Sequence, residues 1–112
     1  MKTNLIVAAT LLLFSFNSFS QANLVASRVQ VSNPHIFPHN GVFVFNAVVT
    51  EGELPNCSGN NRWAMQTDAP GAEALISIVI SAKVANQTVT VVGDGSCDAS
   101  NFGYRVGYVL LH

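Results

Sequence analysis

Five small constellations in this chain hold residue types that can do chemistry. His35 and His39 stand four apart, the spacing that chelates zinc on one helical face. Pro34 and Pro38 deny them that helix; extended, residues four apart lie about 13 Å from each other, so the pair reads as loop histidines. Glu51 and Glu53 would point the same way on a strand, about 6.5–7 Å apart, a separation paired glycosidase carboxylates can use. They sit between Thr50 and Leu54-Pro55, where a solvated turn is expected. Gly93-Asp94-Gly95 lacks the remainder of a dinucleotide fingerprint and leads to a cysteine and a strand instead of a helix. The serines include no G-x-S-x-G elbow. That leaves Trp63, with Asn60, Asn61 and Arg62 directly before it. An indole can stack on a sugar ring while amides and a guanidinium hydrogen-bond its hydroxyls. The competing reading makes Trp63 a core or interface residue beside a disulfide.

The cysteines themselves are chemistry of a structural kind. Residues 1–22, MKTNLIVAATLLLFSFNSFSQA, carry an early lysine, an apolar run and a small-residue end, the pattern of an export signal cut after Ser20 or Ala22. The apolar run is shorter than the ~20 residues a membrane helix needs, so no membrane span is expected in the mature chain. In an oxidising compartment, secreted or periplasmic, Cys57 and Cys97 pair most simply with each other, since a redox couple would favour C-x-x-C. A single domain from Asn23 to His112 is small enough that such a bridge would matter.

Charge narrows the partners. Lys2 aside, Arg28, Arg62, Lys83 and Arg105 face Glu51, Glu53, Asp68, Glu73, Asp94 and Asp98, four cations against six anions. Nucleic acid is excluded as an expected partner, because phosphate binding needs clustered Lys and Arg. With 10% charged residues against about 25% in ordinary domains, the surface must be built from neutral polar groups or be partly hidden in a homo-oligomer. Neutral, hydroxyl-rich ligands suit it better than charged ones.

The elements that must position these residues follow from periodicity. Leu24 to Val31 alternates with Val25, Val29 and Val31 on one face, the pattern of a strand, and Asn33-Pro34 breaks it. Val42 to Val49 is apolar on both faces, a central strand. A short strand spans Arg62 to Gln66. From Ala72 to Ala85 two periods compete: Glu73, Ser77 and Ser81 form a helical polar stripe, while Ile76, Ile78 and Ile80 alternate as in a strand. Length and the preceding Pro70-Gly71 favour the helix, with Asp68 or Thr67 as cap. Thr88 to Gly93 is a strand. The last runs from Phe102 to Leu111, with Phe102, Tyr104, Val106, Tyr108 and Leu110 on one face. The predicted class is mainly β with one helix (α+β), in the order β-β-β-α-β-β, that of a small five-stranded OB-like Greek-key barrel. The helix is apolar around most of its circumference, more than one small barrel covers, which predicts self-association.

Cys57, Arg62-Trp63-Ala64, the small and aliphatic helix, and Asn86 to Gly93 leading to Cys97 resemble small secreted bacterial proteins. More distantly, the layout is similar to the receptor-binding B subunits of bacterial toxins of the subtilase-cytotoxin type. That resemblance implies an OB fold with an intrachain disulfide, ring assembly and glycan binding through the outer surface; no individual sugar contact carries over. The expected function is a secreted, non-enzymatic binding module for glycans that self-associates and needs no cofactor. The alternative is a structural or inhibitor-like envelope protein that binds another protein.

Overall fold

The computed structural model describes residues 23–57 and 59–112; the expected export signal lies outside the described residues. Among the described residues seven strands and one helix follow in order: β1 (Leu24–Gln30), β2 (Ser32–Phe37), β3 (Val42–Asn46), β4 (Arg62–Gln66), α1 (Ala72–Ala85), β5 (Thr88–Gly93), β6 (Tyr104–Arg105) and β7 (Tyr108–Leu111). The chain is mainly β with a single helix among the described residues, as its periodicity predicts. Its strands form a three-stranded sheet, β1-β5-β7, and a four-stranded sheet, β2-β3-β4-β6. Neither is closed into a barrel, and the expected count of five strands becomes seven.

Two local features produce the extra strands. The first strand does not stop at Asn33-Pro34. After the buried Val31 the chain continues as β2 and pairs with β3, the register shifting between Ser32 and His35. Asn33 takes φ 50 there, a left-handed conformation asparagine tolerates. Pro34 is acceptable because β2 is an edge strand. A second shift between Ala26 and Val29, with Arg28 at φ 51, re-aims β1. Leu24, Ala26 and Val31 are therefore buried while Val25 and Val29 are half-buried, which corrects the single face expected for the valines.

The last strand is cut as well. Val106 N–H donates to Ala64 O in the four-stranded sheet, and one residue later Gly107 N–H donates to Val92 O in the three-stranded sheet. The alternation expected across Phe102 to Leu111 thus spans two sheets. Tyr104 is buried and Tyr108 is half exposed, so the two tyrosines do not share a core face. Glycine is required where these backbones cross. A β carbon on Gly93 would collide with Arg105 O, and one on Gly103 with Arg62 O. Gly103→Ala should therefore cost about 3 kcal/mol, the upper end of overpacking penalties, because backbone cannot yield as a side chain can; urea unfolding measures it.

The helix has the expected limits. Its N-terminus is set by Gly71 at φ 79 with no side-chain cap, and Thr67 Oγ1 donates instead to Gly41 O. Asn86 ends it at φ 59, its amide and that of Gln87 closing on Lys83 O and Ala82 O. Glu73 in the first turn and Lys83 in the last complement the helix dipole. Ala72, Val79 and Ala82 join the core between the sheets, with Phe43, Phe45, Trp63, Met65, Val89, Val91 and Tyr104. Ile80 and Val84 remain exposed, the surplus the sequence predicts. Among the described residues no helix is long and apolar enough to cross a membrane. Cys57 and Cys97 are joined, Cα–Cα 5.7 Å, tying the loop before β4 to the loop before β6.

Candidate functional site

In the four-stranded sheet the period of two sends Phe43, Phe45, Trp63 and Met65 inward. His35, Phe37, Val42, Val44, Ala64 and Gln66 consequently share the outer face. The register aligns them in rows: Phe37 opposite Val42 opposite Gln66, and His35 opposite Val44 opposite Ala64. Val42, Val44 and Ala64 point outward yet are fully buried, because Phe37 and Phe102 lie on them. Phe102 belongs to the 94–103 loop, which folds over the sheet. Arg62 Nε donates to Phe102 O at 2.7 Å and fixes it there. The rings are contiguous: His35 and Phe37 have centroids 5.1 Å apart, Phe37 and Phe102 4.8 Å, both edge to face. An aromatic stripe thus crosses the outer face, with Phe37 and Phe102 half-buried and His35 exposed.

Recesses with polar groups on their walls lie at the two ends of β4. At the Gln66 end a cleft of about 340 Å³ is lined by Gln66, Asp98 and Arg105 with Leu75, Pro70 and Val106. At the other end Ser32, Asn46, Asn60 and Asn61 line a shallower groove of about 230 Å³ with Gln30 and Val48. The first holds the more unusual group. Asp98 is only 5% exposed. Its Oδ2 accepts from Gln66 Nε2 at 2.9 Å, Ser100 N at 3.0 Å and Ser100 Oγ at 2.6 Å. Burial works against the charge, but these bonds, with Arg105 nearby, outweigh it and hold the carboxyl below the usual carboxylate range.

A depressed folded-state pKa contributes stability above the unfolded value of about 3.9, and that contribution is lost as pH falls through the folded value. The stability advantage of the wild type over Asp98→Asn should therefore shrink below about pH 4. Urea unfolding of both proteins across pH 2–7 measures it.

The residues singled out from the sequence are not brought into one site. Trp63 is fully buried on the inner face, opposite Phe45. Its Nε1–H donates to Ala47 O at 3.0 Å and its ring meets Tyr104 edge to face at 5.5 Å; it offers no stacking face. Asn61, at φ 57, is a clamp: Oδ1 accepts from Val49 N, O accepts from Ala47 N, and N–H donates to Tyr104 Oη. Asn60 is exposed at the amide groove, its carbonyl 3.5 Å from Asn46 Nδ2. Arg62 braces Phe102. Glu51 and Glu53 are exposed, Glu51 bridging backbone to Val25. His39 lies in an exposed turn apart from the stripe. Among the described residues no three His, Cys, Asp or Glu side chains gather to hold a metal ion.

No known protein family, curated protein or solved structure matches this chain. The site therefore stands on its own geometry. Sequence reasoning missed His35, Phe37, Phe102 and Asp98 as members of it. The alternation of His35 with Phe37 was the available signal, obscured by the prolines at 34 and 38.

Proposed function

We propose that this protein is a secreted, non-enzymatic binding module that takes neutral, hydroxyl-rich glycans on the outer face of the four-stranded sheet and associates with itself. The observation that carries the reading is the His35–Phe37–Phe102 stripe, with recesses bearing polar groups at the two ends of β4. Flat apolar rings with hydrogen-bonding groups at their margins are what a sugar, apolar on its C–H face and polar at its rim, requires. The carboxylate beside the stripe has its pKa lowered, the opposite of what a general acid needs, which favours binding over catalysis.

The connections support an OB-like reading of the fold. If β1 with β2, and β6 with β7, each count as one strand bent across the two sheets, five strands remain. Their pairings run first-second-third-fifth-fourth and back to the first, the third and fifth parallel, with the helix between third and fourth. OB folds bind oligosaccharides on the face of their second and third strands and with the loops after the first and fourth. Here those are β3, β4 and the 94–103 loop, which carry Phe102 and the Val42, Val44 and Ala64 floor beneath it, while His35 and Phe37 come from the neighbouring β2. The toxin-B-subunit layout that the sequence resemblance implies belongs to the same reading. The exposed Tyr108, Leu110 and Leu111 of the edge strand β7, with Ile80 and Val84 of α1, favour self-association. The same surface also supports the second reading, an inhibitor-like or structural protein that docks on another protein.

A glycan array probed with the disulfide-closed protein tests the first reading. Phe37→Ala and Phe102→Ala should each lower binding at least tenfold, about 1.4 kcal/mol, as truncated aromatic anchors do. Silence on the array, together with one tight protein partner from periplasm or culture fluid, would establish the second instead. Light scattering at micromolar concentration should show an oligomer; a monomer removes the self-association.

A further inference from the structure

We infer that the cleft at the Gln66 end of β4 is a subsite for a vicinal diol of an uncharged sugar residue, held between the carboxylate of Asp98 and the guanidinium of Arg105. It rests on the glycan-binding reading and specifies one end of that ligand. Three observations carry it. Among the described residues all three hydrogen bonds to the Asp98 carboxylate go to Oδ2, and no buried side-chain polar atom lacks a partner. Oδ1, unbonded, therefore meets solvent, and the cleft that Asp98 lines is where solvent reaches a residue otherwise 95% enclosed. An ionised acceptor is thus fixed in place with its free oxygen toward a recess.

Arg105 lines the same recess and is exposed, so it adds donors that cost little to redirect. Two neighbouring hydroxyls satisfy both groups at once, one donating to Oδ1 and the other accepting from the guanidinium. The remaining wall is apolar: Leu75, Pro70 and Val106 suit the C–H face of a ring. The volume, about 340 Å³, is at the small end for ligand sites, fitting a single residue.

The charges select a neutral ligand. A sugar carboxylate or sulfate would approach Arg105 but be repelled by Asp98, which cannot move away from its three donors. A sugar ammonium would be drawn to Asp98 and repelled by Arg105. A diol has no net charge to be rejected by either. The stripe, two strands away, would receive the next residue of the sugar chain: Phe37 and Gln66 flank Val42 in the same row, about 10 Å apart at two strand spacings.

The test titrates the isotope-labelled, disulfide-closed protein with methyl glycosides of glucose, galactose and mannose, their deoxy analogues, glucosamine and N-acetylneuraminic acid, followed by amide NMR. At least one neutral hexoside should give saturable shifts at residues 98–106, and deleting either of its adjacent hydroxyls should weaken it at least tenfold. Asp98→Asn keeps an oxygen for Ser100 and Gln66 while turning an NH2 toward the cleft, and Arg105→Gln changes an exposed side chain only; each should weaken binding at least tenfold. If Asp98→Asn fails to fold, Arg105→Gln with the deoxy sugars decides alone. Binding that falls with Phe37→Ala but is unchanged in both cleft variants overturns the subsite and leaves the glycan reading standing. Preference for glucosamine or N-acetylneuraminic acid overturns the neutral diol. No shift with any glycoside, and a silent array, overturns both.

Discussion

Replacing Cys57 and Cys97 together by serine is expected to lower the free energy of unfolding by about 4 kcal/mol, the chain-entropy value for closing a loop of this length. The two residues are 40 apart in sequence, so the bridge restricts much of the described chain once it unfolds. Net stabilities of domains are on the order of 5–15 kcal/mol, and a small one lies low in that range, so the variant should lose a large part of its margin. Urea unfolding of wild type and variant, both under non-reducing conditions, measures the difference. A loss under 1 kcal/mol would mean that the unfolded variant stays compact enough to keep the two segments close without the bridge. The consequence reaches the aromatic stripe. Cys97 stands one residue before Asp98 and five before Phe102, on the loop that covers Val42, Val44 and Ala64. Hydrogen exchange at Ser100 N–H, which donates to Asp98 Oδ2, should accelerate in the variant more than exchange in β5, because the released loop can lift without global unfolding.

Trp63→Ala should be at least as damaging. Truncating a fully buried tryptophan costs about 3–5 kcal/mol through lost transfer energy and the cavity that remains. The Ala47 carbonyl it leaves without its donor adds about 1–3 kcal/mol if water cannot reach it. The two terms together approach the whole stability of a domain of this size, so the variant should be unfolded or nearly so at 25 °C by far-ultraviolet circular dichroism. Trp63→Phe separates the terms. It keeps a ring against Tyr104 but not the N–H to Ala47, and should fold with a loss of about 2 kcal/mol. A Trp63→Ala protein that folds normally and has lost only glycan binding would instead restore the tryptophan as an exposed platform.

Trp63 also illustrates where sequence stops being sufficient. A lone tryptophan after two asparagines and an arginine fits a sugar platform and a core residue equally well, because both uses need a large ring near amides. What separates them is which face of β4 looks inward, and that depends on its pairing with β3. Arg62, Ala64 and Gln66 alternate with Trp63 and Met65 whichever way the strand turns; Phe45 opposite Trp63, beside the buried helix residues, decides it. The aromatic stripe was less legible still. His35 and Phe37 come from a proline-flanked segment and Phe102 from a loop after β5, and only the fold of that loop over the sheet brings them together.

By itself the sequence determined a mainly β chain with one helix, the limits of that helix at Ala72 and Ala85, a doubly apolar central strand, and the cysteine pair. These are local matters: helix ends follow from Gly71 and Asn86 taking left-handed backbone, and a strand's two faces follow from its own alternation. The tertiary structure alone decided where the backbone leaves one sheet for the other, at Val31 and at Val106-Gly107, and hence which aromatic residues are buried and which lie on the outer face. A period of two specifies which residues share a side. It cannot specify which carbonyl accepts the next amide, and the step from Val106 N–H on Ala64 O to Gly107 N–H on Val92 O is a choice made by distant strands once they are packed together.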